Sequence, residues 1–256
     1  MSEDGTEPEY GTPEGNRVID LLWGDPTPGT RGPKPKISLR QIVDAGIDLA
    51  ARDGLDALSM RKVGAQLGVS AMSLYTHVPG KSELIELMID RVYAEILAPD
   101  PDDPWRRQVE FFARQSHALH RRHQWLLETN RFRLPMGPHI LDATEGLYRA
   151  ITASGLPAAE TVGVSNLISS YVYGLARNQI GDIEEQRRTG VSTEAYWESR
   201  SSFWGTYFDA GRFPTHYKLY TEGGFDAAWV HDLDFSLDRM LDGIEALVDR
   251  ATGSPA

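Results

Sequence analysis

The stretch that most limits what this chain can fold into is Ser59–Lys81, SMRKVGAQLGVSAMSLYTHVPGK. A serine precedes each of two short apolar-periodic runs, and serine is a preferred helix N-cap because its hydroxyl accepts an unpaired first-turn N–H. Gly68 falls between the runs, where a tight turn favours a left-handed residue. Pro79-Gly80 stops the second run. The spacing predicts a helix from Ser59 to Leu67, a turn at Gly68, and a helix from Ser70 to His77 or Val78, the layout of a helix-turn-helix.

The flanking sequence supplies helices on both sides. Ser38 and Gln41 fit a capping box, and Leu39, Ile42, Val43, Gly46, Ile47 and Ala50 recur at helical spacing until Gly54. A further helix is expected near Lys81, with Glu83 in its first turn and a stripe of Ile85, Met88, Ile89, Val92 and Ile96. Asp100–Pro104, DPDDP, is a strong breaker. Beyond it helices are expected near Trp105–His123, His139–Ser154, Ala159–Arg188, Glu194–Ala210 and Asp232–Ala251. No segment alternates with period two and no repeat recurs at solenoid spacing, so the expected fold class is all-α. The expected domains are residues 1–36 as a disordered, basic N-terminal arm, 37–83 as a three-helix helix-turn-helix domain, and 84–251 as a larger helical domain. Within the arm, Arg17–Gly24 (RVIDLLWG) is an apolar island, too short for a stable helix alone, which either docks on the body or is a recognition segment.

Composition narrows the function classes. The chain has 256 residues and no cysteine, so disulfides and thiolate metal sites are excluded. The acidic start MSEDGTEPEYG is unlike a signal peptide, no apolar run approaches the ~20 residues that span a bilayer, and the cytoplasm is the expected compartment. The net charge of −11 argues against a nucleic-acid partner, but it is unevenly spread. Residues 31–81 hold eight Lys or Arg against four Asp, a balance of +4, which leaves −15 elsewhere. A basic module on an acidic body binds phosphate locally while the body discourages non-specific association. The RGPKPK run (31–36) either follows phosphates or a minor groove, or is a solvated linker.

On a helical wheel, Leu74 and Val78 point to one side with Ala71 close by. Met72, Ser73 and Thr76 point opposite, with Tyr75 and His77 on the flanks. An outward face this small and polar lets the backbone approach a DNA major groove. Serine and threonine meet base edges, Met72 suits a thymine methyl, Tyr75, His77 and Lys81 suit phosphate oxygens, and Arg61 and Lys62 suit the groove's edge. An ordinary three-helix bundle with a polar face is the competing reading of the same spacing.

At these residues the chain resembles the TetR family of one-component transcriptional regulators, in the branch with a tetracycline-repressor-like C-terminal domain. The resemblance rests on the first helix and on GLDALSMRKVGAQLGVSAMSLYTHVPGKSELIELMID: LGV, then LY-H-V, then Gly80-Lys81 and the apolar run from Leu84. It implies a homodimer on a palindromic operator and a small-molecule effector. It implies DNA contacts for Arg61, Ser73, Tyr75, His77 and Lys81, beside which Lys62, Ser70, Ala71, Met72 and Thr76 complete the candidate set. Ala71 and Met72 depart from the Gln-Pro of tetracycline-responsive members and Thr76 replaces an aromatic, so the operator sequence is not implied.

In the body, Leu233, Leu237, Met240, Leu241, Ile244, Leu247 and Val248 form a near-heptad seam, and Leu167, Ile168, Tyr171, Val172 and Leu175 a second stripe. Such stripes are either intramolecular core or a dimer contact through helices near 159–188 and 232–251. Residues 196–229 hold eleven of the 24 aromatics, which suits either core packing or a cavity for an apolar or aromatic molecule. The resemblance places an effector-sensing segment at Asn130, Arg131, Phe132 and Met136. The effector-pocket candidates are Trp125, Asn130, Phe132, Met136, Leu147, Tyr171, Trp204 and Phe208.

His117, His120 and His123 have metal-ligand spacing, but Arg114, Arg121 and Arg122 repel a cation, so a polar, partly solvated helix face is expected and no metal or cofactor. No GxSxG, glycine-rich phosphate loop or HExxH is present, so the chain is not expected to be an enzyme. The remaining alternative is a small-molecule-binding helical protein or helical enzyme without DNA binding.

Overall fold

The structure, a computed structural model, describes residues 13–24, 37–129, 133–225 and 232–253. Every regular element among them is helical. The chain divides into two compact units, residues 1–153 and 154–256, each treated by itself. The expected arm residues 1–12 and 25–36, the sensing residues Asn130, Arg131 and Phe132, and Trp229 lie outside the described residues.

The first unit holds α1 (Pro13–Trp23), α2 (Leu39–Asp53), α3 (Met60–Gln66), α4 (Ala71–Tyr75), α5 (Lys81–Tyr93), α6 (Trp105–Arg122), a 3-10 helix (Gln124–Glu128) and α7 (Pro138–Ala153). The capping box at Ser38 and Gln41 forms, with Ser38 Oγ accepting from Gln41 N and the Gln41 side chain accepting from Ser38 N. Helices α2, α3 and α4 close over Ile42, Val43, Leu49, Met60, Val63, Leu74 and Val78, all buried. Helix α5 packs on α2, where Arg91 pairs with Asp44 at 3.5 Å, and also on α7, which packs on α6.

Several expectations change here. Helix α4 ends at Tyr75, short of His77, because His77 N turns back only three residues to the Leu74 carbonyl and Pro79 disfavours helical backbone at Val78. The buried face of α5 includes Leu84 and Leu87 and leaves Ile85 half-buried, since the helix is covered by α1, α2 and α7 rather than along one stripe. Pro13–Trp23 is helical although it falls within the segment expected to be irregular. Val18 and Leu22, four residues apart, are buried, and the helix packs on α5, which supplies the stability its length denies it. His117, His120 and His123 are buried, not solvated: His120 Nδ1 lies 2.8 Å from the Ser116 carbonyl and His123 Nε2 donates to Glu95 at 2.9 Å. The apolar neighbours Val109, Phe112, Ala113 and Leu119 turn that face of α6 inward.

The second unit holds α8 (Ala158–Thr189), α9 (Thr193–Glu198), α10 (Ser202–Thr206), α11 (Pro214–Thr221) and α12 (Leu233–Thr252). Asp232 caps α12, which packs on α8, and Leu237, Leu241, Ile244 and Val248 are buried. The single helix expected over Glu194–Ala210 is two short ones. The break falls at Ser199–Ser201, where Ser199 Oγ donates to the Tyr196 carbonyl and competes with the helical ladder. No helix among the described residues is long and apolar enough to cross a membrane.

Candidate nucleic-acid interface

The short helix α4 is fixed by its ends and its inner side. Ser70 is extended, and its hydroxyl accepts from Ser73 N at 3.3 Å and lies 3.0 Å from Ser73 Oγ. Leu74 and Val78 are completely buried. The turn from α3 depends on two glycines. Gly68 adopts φ +69°, and at Gly64 a Cβ would lie 2.9 Å from the Val69 carbonyl oxygen, so the helix and the turn meet backbone to backbone.

The opposite side is open. Met72 is 75% exposed, and Ser73 and Thr76 are exposed beside it. Thr76 Oγ1 donates to the Ser73 carbonyl at 2.7 Å, which leaves its lone pairs facing outward. Tyr75 is exposed, and His77 and Ala71 are half-buried on the flanks. Arg61 and Lys62 are exposed in the first turn of α3, whose cap is Ser59. Lys81 Nζ donates to the Leu55 carbonyl at 3.2 Å, tying the start of α5 to the chain before α3, and an ammonium retains two further donors. All ten candidate residues thus sit on α3, α4, the turn before α4 and the segment running into α5. Three cations border a small polar face, an arrangement suited to phosphate contacts around base-edge contacts.

The effector candidates divide between the units. In the first, Trp125 and Leu147 are core side chains, whereas Met136 is exposed. Trp125 is 2% exposed, yet among the described residues its Nε1 has no hydrogen-bond partner, and neither has Nδ1 of His123, whose ring meets Trp125 edge-on at 6.3 Å. In the second unit Tyr171 is half-buried, and Phe208 stacks on Phe213 and Tyr217 at 5.9 and 6.4 Å. Trp204 lies on α10, with its side chain outside the described set. Exposed Tyr196, Trp197, Tyr207 and Tyr220 accompany them, so most of this aromatic group is not core of the single chain.

A bacterial regulatory protein model of the tetR family matches residues 42–88, and a model of the tetracyclin repressor-like C-terminal domain matches residues 98–248. The second match alone spans more than half of the chain. The chain belongs to the TetR family. This TetR-family protein is therefore a ligand-responsive transcriptional regulator that binds DNA, and not an enzyme. It is 40% identical over 242 residues to the HTH-type transcriptional repressor DrrR1 of Streptomyces coeruleorubidus, covering 94% of this chain and 89% of that one. It is 27% identical over 222 residues to the class G tetracycline repressor of Vibrio anguillarum, covering 83% and 95% respectively. The fold is similar to that of the TetR-family protein ActR of Streptomyces coelicolor in complex with actinorhodin, with a TM-score of 0.70, 24% identity, and coverage of 82% of this chain and 96% of that one. TetR-family regulators bind operator DNA, dimerise and bind small-molecule effectors.

Three structural residues of this regulator had little signature in the sequence. Glu95 and Asp90 join elements far apart in the chain. The one cue for Asp90 was an acid within the apolar run LIELMIDRV. Gly64 looks like any glycine in a helical run, although a close approach of backbone is what it permits.

Proposed function

We propose that this regulator represses transcription by reading a palindromic operator as a homodimer, with α4 in successive major grooves. The carrying observation is the exposed Met72–Ser73–Thr76 face on a helix whose other side is completely buried. In this reading Met72 meets a thymine methyl. Ser73 and Thr76 accept from exocyclic amines of adenine or cytosine, since Thr76 has already donated its proton. Arg61, Lys62, Tyr75, His77 and Lys81 hold phosphates, and the cap at Ser70 with Ala71 beside it sets the height of the helix over the groove. The two copies pair through α8 and α12, where Leu167 and Phe235 remain exposed on the single chain. Two-fold pairing places the half-sites one turn, ~34–36 Å, apart. The protein works in the cytoplasm, beside the DNA.

The effector is a planar, largely apolar molecule. The aromatic group of α9–α11 favours a planar ligand. ActR, similar in fold, is in complex with actinorhodin, which supports a small-molecule effector. Moving the head from 1:99 to 99:1 in favour of release takes ~5.5 kcal/mol of differential effector affinity.

Selection of bound duplexes from a random pool tests the operator reading. A two-fold symmetric site is expected, with half-sites one turn apart; recovery of no enriched sequence, or of an asymmetric one, would overturn it. Planar aromatic molecules are expected to raise the melting temperature and displace the selected duplex; a series of such molecules that does neither would overturn the effector reading.

A further inference from the structure

Helix α5 begins at Lys81, shortly after the reading helix, and carries a buried acid nine residues from its start that no DNA contact uses: Asp90, 4% exposed. Its Oδ1 accepts from the backbone amides of His139 and Ile140 at 3.0 and 3.1 Å, and its Oδ2 lies 2.7 Å from His139 Nδ1. These amides are in the first turn of α7, so Asp90 caps that helix from a different element, 49 residues earlier in the chain. A negative charge there also meets the positive end of the α7 dipole. Gly137 closes the contact, because a Cβ at this position would collide with the Asp90 carboxylate.

A second fastening reaches the same segment from the N-terminus. Helix α1 packs on α5 through its buried Val18 and Leu22. At its end Trp23 Nε1 donates to the Met136 carbonyl at 2.7 Å. The carbonyl belongs to the residue before Gly137, so α1 bridges α5 and the strand of chain that Asp90 holds. An eleven-residue helix is marginal by itself, and its two-residue apolar stripe is small. It contributes two buried apolar side chains, Val18 and Leu22, few beside those of α2–α7.

We propose that Asp90 and Trp23 are positioning residues that fasten segment Met136–Ile140 to α5, and that α1 is a removable strap setting how tightly α5, and the reading helix it adjoins, is held. The docked strap narrows the positions open to α5, so that less ordering remains to be done when DNA binds. Removing it therefore weakens operator binding without touching a DNA contact. The inference rests on the DNA-reading assignment above for its affinity readout, and has one readout that does not.

The test compares wild type, Trp23→Phe, Asp90→Asn and a chain lacking residues 1–24. The probe is a duplex recovered from a random pool with the wild-type protein. Trp23→Phe keeps an aromatic ring at an exposed position and removes only the donor. Hydrogen exchange at the amides of His139, Ile140 and α5 is followed in parallel. Trp23→Phe and the truncation are expected to bind the duplex about two- to thirty-fold more weakly, with melting of the folded chain little changed in Trp23→Phe. Exchange at His139 and Ile140 is expected to be faster in all three variants. Equal or tighter duplex binding by both Trp23→Phe and the truncation overturns the strap, as does unchanged exchange at His139 and Ile140 in Asp90→Asn. If wild type selects no duplex, the DNA-reading assignment fails, and the exchange measurement still decides the fastening.

Discussion

Thr76 shows how a single hydroxyl is committed before any partner arrives. Its proton goes to the Ser73 carbonyl, so toward solvent it offers lone pairs alone. Thr76→Val keeps the shape and removes the acceptor, and is expected to relax preference at one base pair of each half-site by ~1–3 kcal/mol. Binding-site selection with the variant checks this; an unchanged preference would place Thr76 off the reading face. Gly64 acts in the opposite sense, through backbone. Gly64→Ala pushes a methyl to 2.9 Å from the Val69 carbonyl, which sits in the turn that aims α4. It is expected to cost about 1–3 kcal/mol in stability and to weaken binding to every sequence alike. Thermal melting and affinities for two unrelated duplexes check the pair of effects.

At the scale of elements, the ends of α5 and α6 are joined by one carboxylate. Glu95 receives hydrogen bonds from both Arg122 and His123. Burial alone pushes its carboxyl up, but the hydrogen bonds and charges of His123 and Arg122 outweigh it and hold the carboxyl below its ordinary value of 4.5. A carboxyl lowered by folding contributes stability that is fully present above the unfolded value, and is lost as pH falls through the folded one. Wild type is therefore expected to lose more stability than Glu95→Gln between about pH 6 and pH 3. Equal losses in denaturant titrations at the two pH values would remove Glu95 from the account.

The same scale shows what the residue pattern revealed. The caps Ser38, Ser59, Ser70 and Asp232 fix where helices start, because a cap is a local hydrogen bond within four residues. The inward placing of Leu74 and Val78 follows from helical geometry for the same reason. Asp90 capping α7 and Trp23 meeting Met136 arise from contacts across 49 and 113 residues, and leave no local trace. The buried histidines of α6 were misplaced because charged neighbours in sequence point to the other side of the helix. The broken run α9–α10 was misplaced because aromatic spacing favours a helix while Ser199 interrupts it.

Across the whole molecule, charge is divided by function. The +4 of residues 31–81 faces −15 in the remainder of the chain. Affinity is expected to fall steeply with salt, with a slope set by the cations of the head rather than by the net charge of −11. Arg61→Ala and Lys62→Ala are each expected to reduce that slope by about 1. Titrations at several salt concentrations measure it directly.

The five residues of α4 also bear on how a family of such regulators diversifies. Stability resides in Leu74, Val78 and the two turn glycines, and base contact is proposed for exposed side chains whose own hydrogen bonds stay within α4 and its caps. Mutations on the outer face are thus expected to cost the fold little. After gene duplication, one copy can drift to a new operator through a series of intact, soluble intermediates, and a pair of paralogues can cease to compete for each other's sites without any change in the scaffold that carries them.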